Sequence, residues 1–157
     1  MFWSGFYFLG LTVAAVTACA FGGIGLRRAA AVLICNWLGC MLAVVAAESL
    51  TPWGLFLLFD AASAVAVLRQ PASRTQAIIG AIFCFQMAFH VAFALIGNGA
   101  ADRLYLDLLA LGGWLQIATL AGGSIYGGGK RFGLAVDARR HLHRSDPPHH
   151  RSMGASG

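Results

Sequence analysis

The chain has 157 residues, of which 59% are hydrophobic and only 11% charged, with a mean hydropathy of +0.72 and a formal net charge of +5. A water-soluble domain carries about 25% charged residues, so this composition excludes an ordinary soluble enzyme, a disordered chain and a collagen-like repeat. It points to an all-α, polytopic transmembrane helical bundle, and the length leaves no room for a separate soluble catalytic module.

Crossing a hydrocarbon core of about 30 Å takes roughly 20 apolar residues in a helix, because each backbone polar group must be satisfied within the segment. Five stretches approach that length. The first covers about 5–26 and stops at Arg27 and Arg28, where a hairpin turn is expected. Its opening Met1-Phe2-Trp3-Ser4 lacks the positive charge of a signal peptide, so it reads as a retained helix with Phe2, Trp3, Phe6 and Tyr7 at the outer interface. The second span covers about 29–47 and ends at Glu48. The third, about 52–68, opens with Thr51 as N-cap and Pro52 in the first helical position, and carries Trp53 at the outer interface. It is the shortest, so Arg69 is expected to snorkel. The fourth covers about 77–96 and closes in the turn residues Gly97-Asn98-Gly99. The fifth covers about 104–126, before the run Gly127-Gly128-Gly129. Residues 130–157 form a basic tail with four of the five histidines, expected as a short interfacial helix over 131–144, stopped by Pro147-Pro148, and disordered at its end.

Charge sets the expected orientation. In a five-span arrangement every lysine and arginine except Arg103 falls on one side, and short loops rich in Lys and Arg stay cytoplasmic. The N-terminus is therefore expected outside and the C-terminus inside, as in a bacterial inner membrane. Four spans, with one stretch dipping without crossing, would scatter the positive charge over both faces. The same topology accounts for the excess of basic residues without nucleic acid. Near anionic headgroups each tail cation gains about 1 kcal/mol.

Helices in lipid associate through small residues and interhelical hydrogen bonds. The candidate contact stripes are Gly10, Ala14, Ala18 and Gly22 on the first helix, and Gly39, Ala43 and Ala47 on the second. The fourth offers Gly80, Cys84, Ala88 and Ala92, and the fifth Gly123 and Gly127. Gln86 and His90 share a face of the fourth helix nearly opposite its stripe, which predicts a central helix with neighbours on both sides. Cys19, Cys35, Cys40 and Cys84 form no C-x-x-C pair and read as small apolar filler.

The polar residues inside the spans carry what chemistry there is. Asn36, Gln86 and Gln116 fall near the midplane of their helices, as structural glue or as a polar constriction. Asp60 and His90 each lie seven residues from the outer end of their spans, at one depth. A charged Asp there costs about 2.5–3.5 kcal/mol unless paired, neutralised or wetted. An Asp60–His90 pair would satisfy both, either as a packing lock or as a proton- or cation-responsive site. Glu48 and Asp107, with Asp60 and Asp102, bias the outer half toward negative charge, as a cation-attracting mouth or as solvated helix ends.

No metalloprotease, nucleophile-elbow, phosphate-loop or dinucleotide motif is present. The tail histidines lack a geometry that would fix a metal, and no cofactor is called for. The expected function is non-enzymatic: association with copies of itself, or with a larger membrane complex as an accessory subunit. The alternatives are a holin-like pore former and a small proton- or cation-coupled transporter or channel using Asp60 and His90, although inverted repeats and interrupted helices are missing.

Overall fold

A computed structural model describes residues 2–46, 53–71, 73–96 and 102–144, with side chains placed within 5–46, 53–71, 73–96 and 103–129. Five helices follow one another: α1 (Phe2–Phe21), α2 (Ile24–Ala46), α3 (Trp53–Leu68), α4 (Arg74–Ile96) and α5 (Asp102–Arg144). No strand occurs among the described residues. By length and composition α2, α4 and the Arg103–Gly129 part of α5 can cross a membrane, whereas the apolar stretches Gly5–Phe21 and Trp53–Leu68 are shorter. The molecule is thus compatible with a small membrane protein. Glu48, the Thr51-Pro52 start, the Gly97-Asn98-Gly99 turn, Pro147-Pro148 and the chain end lie outside the described residues, as do the side chains of Phe2, Trp3, Asp102 and the tail.

Three boundaries differ from expectation, two of them for a local reason. The first hairpin turns at Gly22-Gly23 rather than at the arginine pair. The Gly22 amide donates to the Ala18 carbonyl at 2.9 Å, and the Gly23 carbonyl accepts from the amides of Leu26 and Arg27 at 3.0 and 3.1 Å. A Cβ on Gly22 would fall 2.3 Å from the Ala18 oxygen and 2.9 Å from Leu26 Cβ. Gly22 therefore belongs to the turn and not to a packing stripe, while Arg27 and Arg28 enter α2. The fourth helix starts three residues early because Ser73 caps it: the Gln76 amide donates to Ser73 Oγ at 3.2 Å, and Ser-x-x-Gln is the capping-box spacing. The fifth helix runs unbroken through Gly127–Gly129 to Arg144. Glycine costs about 1 kcal/mol in a helix interior, and three in a row do not stop this one.

The helices form an up-and-down bundle. Asn36 meets Asp60 and Phe8 packs on Trp37, so α2 runs against both α3 and α1. Tyr105 meets His90 near one end of α4 and Thr75 meets Gly123 near the other, so α5 runs against α4. The number of helices is odd, and α1 lies parallel to α5: Tyr7 touches Trp114 and Phe21 approaches Gly128. The same contacts gather Arg27, Arg28, Arg69 and Arg74 at the end of the bundle from which the basic half of α5 departs. A core of Leu11, Ala14, Ala18, Leu33, Phe83 and Leu120 fills the centre. Large apolar residues such as Leu42, Leu58, Phe85 and Ile125 are exposed on the outside, the pattern of a surface meant for lipid.

Small residues are used unevenly. On α1, Ala14 and Ala18 are buried, and a Cβ at Gly10 would meet the Trp114 ring at 2.9 Å. On α2, Gly39 receives Phe59 and Ala43 is buried. On α4 only Gly80 faces a neighbour, and Cys84, Ala88 and Ala92 are exposed. That helix contacts α3, α5 and α2 through one buried face that includes Gln86 and His90, so the expected second contact face is turned outward. On α5, Gly123 packs on Thr75 while Gly127 meets nothing within 4 Å. The expectation of cysteines as interior filler is corrected as well: Cys19, Cys35 and Cys84 are exposed and Cys40 is half-buried.

A Cβ at Gly80 would lie 2.3 Å from Leu68 Cδ2 and 2.5 Å from Leu68 Cγ. Gly80→Val is expected to destabilise the bundle by about 1–3 kcal/mol, and Gly127→Ala to be neutral or stabilising by up to about 1 kcal/mol. Loss of helical circular dichroism during titration of a mild-detergent solution with a denaturing detergent measures both.

Candidate functional site

Of the buried polar side chains, Asp60, His90, Gln86 and Gln116 form two clusters one helical turn apart on α4, while Ser63, Gln76 and Ser124 lie outside them. In the first, Asn36 Nδ2 donates to Asp60 Oδ1 at 2.9 Å, and His90 Nε2 lies 2.9 Å from Asp60 Oδ2. His90 Nδ1 lies 2.6 Å from the Tyr105 hydroxyl. Cys40 Sγ adds a weak contact to Asn36 Oδ1 at 3.9 Å. The chain thus runs from α2 through α3 and α4 to α5. His90 is wholly buried, and Asp60 and Tyr105 are each 4% exposed.

With Asp60 ionised and the imidazole neutral, donors and acceptors match along this chain. An ionised carboxylate only accepts, so the imidazole hydrogen sits on Nε2 and points at Asp60. Nδ1 is then the acceptor for the Tyr105 hydroxyl. Each Asp60 oxygen receives one donor, and both ring nitrogens are used. Aromatic rings exclude water around it: Phe56 lies 6.2 Å from the imidazole between centroids, and Phe93 stacks on Tyr105 at 4.2 Å and 17°. Buried polar groups of this kind are stable only when every member is satisfied.

In the second cluster Gln116 Nε2 donates to Gln86 Oε1 at 2.9 Å, and Gln86 Nε2 donates to the Leu109 carbonyl at 3.4 Å. Gly112 makes the space, since a Cβ there would stand 2.8 Å from Gln86 Nε2. The three amides expected at one level therefore separate: two pair with each other, and Asn36 serves the carboxylate. Rather than converging on one cavity, they leave the bundle axis filled by side-chain bonds.

The structure brings Asp60 and His90 together, and it separates Asp60 from Asp107. Asp107 is exposed on α5, so the two carboxylates share no mouth, and Glu48 lies outside the described residues. Ser124 donates to the Leu120 carbonyl at 2.7 Å within its own helix. Among the described residues no group of three His, Cys, Asp or Glu side chains is placed to hold a metal. A groove of about 500 Å³ between α2 and α3, lined by apolar residues including Leu38, Leu42, Leu55 and Phe59, opens to the outside away from the clusters.

Tyr105 and Cys40 are the members that sequence reasoning passed over. Tyr105 stands only three residues into α5, where an interfacial tyrosine is ordinary. The available signal is chemical, because a phenol at a buried position must find a partner and His90 has a second nitrogen to offer. Comparison with protein families, characterised proteins and solved structures finds no match, so the reading of this site rests on its geometry.

His90→Phe leaves Asp60 with one donor in an apolar interior and is expected to destabilise by about 3–5 kcal/mol, the range for breaking a buried pair. Gln116→Leu is expected to cost about 0.6–1.7 kcal/mol, the range for an interhelical hydrogen bond in a membrane bundle. The order of the two unfolding midpoints in a denaturing-detergent titration checks the assignment.

Proposed function

We propose that this chain is a multi-pass protein of a bacterial inner membrane that works by association, either with copies of itself or as an accessory subunit of a larger membrane complex. The observation that carries this reading is that Asn36, Asp60, His90 and Tyr105, and separately Gln86 and Gln116, bond to one another across four helices, while the outer faces are apolar. A bundle fixed in this way presents a constant shape to lipid and to neighbouring helices. The outward Cys84, Ala88 and Ala92 of α4 form a small-residue face that another helix approaches closely. In this reading all five helices cross, and the two short ones are accommodated by local thinning of the bilayer.

The basic pole sets the sidedness. With Arg27, Arg28, Arg69 and Arg74 at the end where α5 leaves the bundle, the N-terminus lies outside and the C-terminus in the cytoplasm, where the tail cations meet anionic headgroups. Two measurements test the proposal. Reporter fusions are expected to place the N-terminus outside and a fusion after Arg144 inside. Native mass after mild extraction is expected at a multiple of 16.5 kDa, or higher with a co-purifying subunit. A bare 16.5 kDa monomer from the native membrane would overturn the association reading, and termini in one compartment would overturn the odd number of crossings.

A further inference from the structure

The hydrogen-bond chain on His90 has a property that a purely structural lock does not need: the direction of its last bond is set by the number of protons it holds. With Asp60 ionised and the imidazole neutral, Nε2–H donates to Asp60 Oδ2 and the Tyr105 hydroxyl donates to Nδ1. One further proton, taken from water, has two places to go. On the imidazole it forms a new N–H bond at Nδ1. On Asp60 it forms an O–H bond that donates to Nε2, and the ring hydrogen must then sit on Nδ1 because neutral imidazole carries only one. Both routes end with Nδ1 protonated and facing the Tyr105 oxygen. Tyr105 must then accept where it donated, and its own hydroxyl hydrogen loses the Nδ1 acceptor.

We infer that the Asp60–His90–Tyr105 chain is a one-proton switch that couples the α3–α4 pair to the outer end of α5 by reversing the His90–Tyr105 hydrogen bond. The geometry isolates that end of the chain. Asn36 from α2 holds Asp60 Oδ1 and is itself without a titrating proton. The other titratable groups that the Asp60 charge acts on, among the described residues, are Tyr7 of α1 and Cys40 of α2. Neither donates to the imidazole, both of whose nitrogens are occupied. The Tyr105 ring is held by stacking on Phe93 of α4, so the oxygen keeps its place, the hydroxyl hydrogen turns about its own C–O bond, and α5 is left with a buried donor that has lost its acceptor. Asp107 and Arg103, the described charges of that helix end, are exposed and stay with solvent in both states. This inference does not depend on whether the protein associates.

The test uses the full chain, labelled with nitrogen-15 histidine, in lipid bilayers titrated from about pH 9 to about pH 4, which spans the ordinary histidine and aspartate ranges. The signal that His90→Gln removes identifies the ring. At the upper end Nδ1 is expected unprotonated and Nε2 protonated, and at the lower end Nδ1 carries the proton. In the same step, amide exchange over 104–109 is expected to accelerate about two- to tenfold, the range that loss of one hydrogen bond allows. In Tyr105→Phe the Nδ1 step persists and the exchange response is lost. Nδ1 protonated throughout, Nδ1 unprotonated throughout, or an exchange response of equal size in Tyr105→Phe would each overturn the proposal. The nitrogen measurement needs no variant beyond the one that assigns the signal, so failure of Tyr105→Phe to fold leaves it standing as a test.

Discussion

An aspartate inside an apolar bundle is the constraint around which the rest is arranged. Its transfer from water is costly, and the cost is met by donors on two other helices, Asn36 and His90. Meeting that requirement fixes the register of α2, α3 and α4 against one another, and Tyr105 extends it to α5. Apolar contacts in lipid discriminate poorly between registers, because leucine against leucine and leucine against acyl chain are alike. A directional chain of bonds specifies one arrangement where packing alone would allow several. The second cluster repeats the device between α4 and α5 with uncharged groups, at lower cost and with a smaller penalty if broken.

Where polar groups are spent decides what the bundle offers its surroundings. The small residues split accordingly. Gly10, Ala14 and Ala18 of α1 let α5 approach, and Gly39 lets Phe59 settle between α2 and α3. On α4 the polar face takes the interior and Ala88 is left outside. One helix cannot bury both faces when all its neighbours lie along one arc.

Much of this was legible from the residues. The five helices follow from the spacing of apolar stretches, and the depth of Asp60 and His90 follows from counting along two spans that share an end. The turns are less legible because charge and backbone geometry point to different residues: Arg27 and Arg28 are the charged pair, but Gly22 and Gly23 make the bend. The Ser73 cap is readable in the Ser-x-x-Gln spacing, four residues ahead of the apolar run by which the fourth helix is recognised. The fate of Asn36 was not readable, because an amide serves a carboxylate as well as another amide and only the rotation of the helices decides. The continuation of α5 past three glycines runs against local propensity.

The parallel contact of α1 with α5 is among the most extensive among the described residues, and it joins the two helices that lie farthest apart in sequence. In a membrane reading, α3 and α4 can therefore find each other while the ribosome is still at work, with Asp60 and His90 already paired. The seam between α1 and α5 stays open until α5 has been made. A chain stalled before α5 would leave one imidazole nitrogen unanswered and the Ala14–Ala18 edge bare.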